Sequence, residues 1–279
     1  YERVEIPKPV VGDWAHDQPA FHQVNKSFGR DMTDDQIELA IRGFYASVTQ
    51  IDRQINRIIG TLNEEGMLEN TWIIFTSDHG DNLGDHYRWQ KSNFLKGSTN
   101  IPFIITPPFQ KNPSRTETYK LGSVNNSVIG LQDILPTCLD IAGVPIPIHV
   151  DGKSLLPIVR NSAESVRDVI LGEFGPIGRR SLMLTDGVWK YIWYEEDNYE
   201  LLFNIQEDPN ELRNLSFKCP VIRDEWKSKL IQVLSERKYD PAIKNKMLNA
   251  SNPGYKLDDT EIYKRINSLH LYNNPKGLH

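Results

Sequence analysis

Two apolar, β-favouring runs constrain this chain more than any other feature. They are Thr71-Trp72-Ile73-Ile74-Phe75-Thr76 and Ile101 to Thr106, the second stopped by Pro107-Pro108. Neither alternates with polar residues, so each reads as a strand buried on both faces. Upstream, Ile37, Ile41, Phe44, Tyr45, Val48, Ile51, Ile55, Ile58, Ile59 and Leu62 recur at three- and four-residue steps, one apolar stripe along a long scaffold helix. Thr33 and Gln36 form a capping-box pattern at its start, and Gly66 marks its end. Between Asp133 and Gly143 a short helix is predicted, with Asp133 as its cap, Pro136 in the first turn and Cys138 in the core. Helix, strand, loop, strand, helix is the order of a layered α/β domain.

After Asp151-Gly152-Lys153-Ser154 the texture changes. Val169–Glu173, Ser181–Thr185, Trp189–Tyr194 and Leu201–Phe203 read as short strands divided by Gly and Asp turns such as Asp186-Gly187. Pro220 to Arg237 follows with a helical period. The expected organisation is therefore a first domain over 1–165 and a smaller antiparallel sheet with a packed helix over 166–279, ending in a polar tail from about Asn249.

Composition excludes several classes. With 39% hydrophobic and 25% charged residues the chain has the proportions of a globular protein. Its 32 basic against 37 acidic residues, net −5, give no basic stripe and argue against nucleic acid. No apolar run approaches the ~20 residues of a membrane span. Two cysteines make no disulfide framework. Asn-x-Ser triplets occur, including those at Asn25 and Asn214, but do not fix a compartment. Tyr1-Glu2-Arg3-Val4-Glu5 carries neither an initiator Met nor a leader core, so the expectation is an internal cut.

The chemistry concentrates in Ser77-Asp78-His79-Gly80-Asp81-Asn82-Leu83-Gly84-Asp85-His86, directly after the first strand. Ligands of open α/β sheets bind beyond the carboxyl ends of strands. A carboxylate beside an imidazole can hold a divalent cation, and Gly80 would let the backbone approach it. Lys91 could balance the charge of a tetrahedral oxyanion. Taken alone, the segment also reads as a polar turn and Lys91 as a solvated lysine. Lys96, close by, serves as the comparison.

Thr71–Thr106, reading TWIIFTSDHGDNLGDHYRWQKSNFLKGSTNIPFIIT, resembles the C-terminal signature stretch of the sulfatase family, in the alkaline-phosphatase superfamily. Asp133-Ile134-Leu135-Pro136-Thr137, Ala142-Gly143-Val144 and Asp151 to Pro157 resemble a second family block. Leu202-Phe203-Asn204-Ile205 with Glu207 to Leu215 resembles a third. The resemblance implies an alkaline-phosphatase-like mixed or parallel sheet flanked by helices, and hydrolysis of sulfate esters on a glycan or other small molecule. It implies that Asp78 and His79 are ligands of one divalent ion, calcium first, with magnesium or manganese as alternatives. Lys91 matches the family's sulfate-contacting lysine. His86 keeps two readings, a substrate contact or a packing residue of the loop. A periplasmic, secreted or lysosome-like location would follow from the family.

The family nucleophile is a formylglycine made from the Cys or Ser of a C/S-x-P-x-R motif, which does not occur here. Cys219-Pro220-Val221-Ile222-Arg223 has its proline one position early. The family's N-terminal aspartates and Pro-His-x-Pro segment also lack counterparts, and His16 and His22 read as loop histidines. The expectation is a C-terminal portion holding half an active site, inactive by itself and partnered by a missing N-terminal half of the same protein. The alternatives are a phosphonate or phosphate monoester hydrolase of the same superfamily, or a catalytically inactive fragment or binding module.

Overall fold

The computed structural model describes residues 4–16, 32–109, 119, 121–237 and 239–251. His22, the triplet at Asn25 and most of the polar tail lie outside them. Helix α1 spans Asp34–Glu64, and its capping box forms: Thr33 Oγ1 accepts from Gln36 N, and Gln36 Oε1 accepts from Thr33 N at 2.9 Å. Asp34 and Asp35 sit at the positive end of the helix dipole. At the other end Gly66 takes φ +68 while Met67 N bonds back to Leu62 O, which stops the helix. The expected scaffold role meets a difference here. Ile41 is the buried member of the stripe, while Val48, Ile51 and Ile58 stand exposed because no described layer covers them.

Strand β1 (Ile73–Thr76) pairs with β2 (Phe103–Thr106) in an antiparallel ladder, Ile73 opposite Thr106 and Thr76 opposite Phe103. Of the expected mixed sheet the described residues thus hold an antiparallel pair. Both strands were expected to be buried on both faces, yet β1 is only half-covered and Ile104 is 54% exposed. Nothing described lies over that face. Between the strands lies helix α2 (Lys96–Thr99).

Helix α3 (Ile134–Ile141) corrects two expectations. Asp133 does not cap it, since its buried carboxylate accepts from Gly130 N, from Lys153 N and from the guanidinium of Arg167. Burial alone would raise this carboxyl, but Arg167 and the two amides hold it below the usual range. Cys138 faces outward rather than into a core. Gly152 is where the chain needs no side chain, because a Cβ there would lie 1.8 Å from Gln132 O. Leu155 and Leu156 are buried next, at the start of α4 (Leu156–Val159).

Strands β3 (Ile170–Phe174), β4 (Ser181–Thr185), β5 (Trp189–Tyr194) and β6 (Tyr199–Asn204) form an antiparallel meander in chain order. Asp186 Oδ1 accepts from Val188 N and Trp189 N while Gly187 takes φ +88, closing the tight β4–β5 turn. Leu182, Leu184, Tyr191, Trp193 and Leu202 bury one face against Trp226, Leu230 and Leu234 of α5 (Pro220–Ser235). The other face, with Met183, Ile192, Leu201 and Phe203, takes in Trp14, Ala15, Phe94 and Leu95. That second core joins residues from either side of position 165 and brings the segment between β1 and β2 onto the sheet. The short β7 (Ile243–Lys244) and β8 (Met247–Leu248) complete the described elements. The triplet at Asn214 is structural, as the buried Asn214 Oδ1 accepts from Leu202 N and Ser216 N.

Leu230→Ala is expected to cost about 2–5 kcal/mol, because it opens a cavity under a fully buried helix face. Urea unfolding should show a lower midpoint at an unchanged slope.

Candidate functional site

The site is built on the exit of β1. Ser77 Oγ donates to His79 O at 2.7 Å and Asp78 Oδ1 accepts from His79 N at 2.9 Å, which folds the chain tightly there. His79 Nδ1 lies 2.9 Å from Gly80 O. A carbonyl only accepts, so Nδ1 is the donor there, and in the neutral ring the lone pair lies on Nε2. That Nε2 is 3.4 Å from Asp78 Oδ2, and the Asp78 side chain is 82% exposed. The pair therefore presents one carboxylate oxygen and one imidazole nitrogen together in the open. Among the described residues no group of three or more His, Cys, Asp or Glu could hold a metal.

Gly80 has a reason beyond any ligand. Its N–H donates to Ser98 O at 2.9 Å, and a Cβ on it would meet Gly97 O at 2.1 Å. Helix α2 thus backs the Asp78-His79 turn directly. The loop between them closes on itself. Asp81 Oδ1 accepts from Leu83 N and Gln90 N, Asn82 N donates to Gln90 O, and Gly84 N to Arg88 O. Leu83, His86, Tyr87, Gln90 and Ser92 all take left-handed φ, a concentration of strain of the kind found at functional loops.

His86 is packed inside the loop. It is 3% exposed, its Nδ1 accepts from Gly12 N at 3.1 Å, and its ring lies 4.9 Å from Trp14. Its ring also meets the Asn210 backbone. Burial pushes its pKa down against the pull of Glu211 and Asp85. Lys91 is exposed on the closing arm of the loop, after the left-handed Gln90. No contact joins it to Asp78 or His79 among the described residues. Lys96 is no bystander, since its N–H donates to Glu211 Oε2 and its Nζ to Asn210 Oδ1.

Three residues that sequence reasoning missed hold this loop. Glu211 is fully buried, with Oε1 2.6 Å from Lys190 Nζ and its carbonyl accepting from Trp14 Nε1 at 2.7 Å. Lys190 also donates to Phe94 O at 3.1 Å. Arg88 is buried near Tyr194 and Tyr199, and burial lowers its pKa. Glu211 sits in a block already noted, but nothing in a one-dimensional pattern says which acid turns inward.

Residues 14–144 match the family described as sulfatase. Residues 84–238 match the one described as N-sulphoglucosamine sulphohydrolase, C-terminal. An arylsulfatase of Clostridium perfringens is 34% identical over 224 residues, covering 77% of this chain and 44% of the relative. The chain spans about half the length of the curated relatives it matches. A protein solved in complex with its substrate D-glucosamine-2-N,6-O-disulfate superposes with TM-score 0.59 at 27% identity, over 68% of this chain and 38% of that one. The phosphonate monoester hydrolase of Agrobacterium radiobacter superposes at 0.65 with 25% identity, over 74% and 43%.

The lowered pKa of His86 makes a pH prediction. The folded state holds the ring neutral, so the unfolded state binds more protons as pH falls through the ordinary histidine value, about 6.5. The contribution is complete above that value and is lost as pH drops toward the folded pKa. Urea unfolding at pH 7.5 and 5.5 should show a loss that His86→Asn reduces, by at most about 1.4 kcal/mol per pH unit. Asn tolerates the left-handed backbone and offers Gly12 N an oxygen.

Proposed function

The chain belongs to the sulfatase family of the alkaline-phosphatase superfamily, and from that premise we propose that it carries the C-terminal part of a metal-dependent active site that hydrolyses a sulfate ester. The observation that carries this reading is the open pair of Asp78 Oδ2 and His79 Nε2 at the carboxyl end of β1. A ligating histidine ordinarily gives its other ring N–H to a carbonyl, as His79 Nδ1 does to Gly80 O. The donor chemistry therefore fits a divalent ion, calcium first and magnesium or manganese otherwise. Such an ion would supply charge neutralisation at the oxygens of a bound sulfate.

The chain's own residues have separate tasks. Asp78 and His79 would hold the ion, and Lys91, exposed at the loop's closing arm, would offer its ammonium to the sulfate. Two protein donors fill only part of the shell of a hard cation. In this reading the remaining donors and the formylglycine nucleophile come from an N-terminal half of the same protein. The exposed stripe of α1 and the half-covered β1–β2 ladder are the surfaces it would cover. A sulfated sugar or other small organic sulfate is the substrate class, supported by the disulfated glucosamine in a related structure. The similarity to a phosphonate monoester hydrolase favours a second reading, in which the same site takes a phosphonate or phosphate monoester.

In the complete enzyme, Asp78→Ala is expected to lose bound metal and at least about a hundredfold in turnover, several kcal/mol of transition-state stabilisation. With the metal stripped from both by chelator, its melting temperature should match the wild type's, because the side chain is exposed. Metal content and turnover both unchanged would remove Asp78 from the site. Lys91→Ala should lower turnover of an aryl sulfate without lowering the melting temperature. A wild-type preference for a phenyl phosphonate over the aryl sulfate would install the second reading. The isolated chain should show no turnover of either, and robust rates from it would refute the half-site assignment.

A further inference from the structure

The block Asp208-Pro209-Asn210-Glu211-Leu212 has no task in the reading above, yet it touches both arms of the site loop. Asn210 bonds to His86 on one arm through its backbone and to Lys96 Nζ on the other through Oδ1. Glu211 Oε2 accepts the N–H of Lys96 at 2.8 Å, and Oε1 accepts from Lys190 Nζ of β5, which also reaches Phe94 O. The Glu211 carbonyl takes the Trp14 indole, and Leu212 O takes Asp13 N. Glu211 itself adopts φ +55, a conformation a non-glycine residue holds only when its surroundings impose it.

From Glu211 the contacts run to the turn that bears the open donors. Lys96 begins α2, and α2 supplies Ser98 O to Gly80 N and Gly97 O against Gly80 Cα. Gly80 directly follows His79. We propose that Glu211 is the positioning residue of the Asp78-His79 turn and of Lys91: paired with Lys190, it locks α2 and the 81–92 loop to the C-terminal sheet. Through it the four-stranded sheet sets the geometry of a site to which it contributes no ligand. Glu211 touches neither ion nor substrate, and its role in turnover rests on the sulfatase reading.

The test uses two double variants of the complete protein. Glu211→Leu with Lys190→Met removes both charges together, so no charge is left buried alone, but it strips Lys96 N of its acceptor. Glu211→Gln with Lys190→Met also removes both charges and keeps an oxygen for that amide. Hydrogen–deuterium exchange of peptides within 79–98 should speed up about tenfold or more in the Leu/Met variant and stay near wild type in the Gln/Met variant. Turnover number on an aryl sulfate should fall about tenfold or more in the first, with KM little changed, and recover in the second. Equal behaviour of the two variants, or unchanged exchange in Leu/Met, overturns the proposal.

If Leu/Met does not fold, the wild type decides. Residues 79–98 should exchange as one unit with 201–215 as denaturant is raised, and a loop that exchanges freely while 201–215 stays protected overturns the proposal. A wild type without sulfatase turnover would count against the function and leave the exchange result to judge the lock.

Discussion

The Glu211–Lys190 ion pair is the interaction on which the site's geometry depends, because a carboxylate shut away from water must have its oxygens satisfied by the protein. Glu211 meets that demand with two donors from different parts of the chain, Lys190 Nζ from the sheet and Lys96 N from the loop. Lys190 divides its protons between Glu211 and Phe94 O. Desolvating two charges costs several kcal/mol, and their attraction offsets that only while the geometry is kept. The pair is thus weak as a source of net stability and strict as a constraint on position. Sheet, loop and N-terminal segment keep one relative placement because any other leaves a charge buried without a partner. A second charged cluster, Arg180 between Glu195 and Asp240 with Arg237 on Asp240 and Glu173, does the same for the sheet's far end.

Local signals were legible where a local cause decides the outcome. The capping box of Thr33, the stop at Gly66, the Asp186-Gly187 turn and the strands around it depend on neighbours in sequence, and they form as read. The sulfatase resemblance rested on blocks in consistent order, and the comparisons agree with it. What the sequence concealed was partner choice across distance. Asp133 looked like a cap because it precedes a helix, but Arg167, thirty-four residues on, takes its carboxylate. Cys138 looked like core because its neighbours are apolar, whereas the apolar side of a short helix depends on which layer it meets. Glu211 and Lys190 look like any surface acid and base until the sheet folds and turns both inward.

Burial divides the chain unevenly. The meander's two faces are closed, one by α5 and the other by Trp14, Phe94 and Leu95. The α1 stripe and the β1–β2 ladder show the opposite, with Ile51, Ile58 and Ile104 more than half exposed. An amphipathic helix of this length gains most of its stability from packing its apolar face rather than from propensity, and a two-stranded ladder alone is marginal. The same periodicities that identified these elements therefore specify a covering layer. The C-terminal sheet needs none, and so it is the element able to hold the site loop from behind.

The strain in that loop shows why holding is required. Each left-handed non-glycine residue costs on the order of 1–2 kcal/mol, and five of them fall between Leu83 and Ser92. Together they rival the whole stability of an ordinary domain, about 5–15 kcal/mol. The internal bonds of Asp81 and Asn82 to Gln90 close the loop but cannot fix where it points. Its direction comes from contacts outside it: Val10 O on His86 N, Asp85 Oδ1 on Val10 N, Gly12 N on the His86 ring, and Asn210 on both arms. The exposure of Asp78 and Lys91 follows from the same arrangement. The bonds that fix this stretch to the rest of the protein fall on their neighbours Gly80, His86 and Lys96. Asp78 and Lys91 stay exposed while the residues around them are anchored.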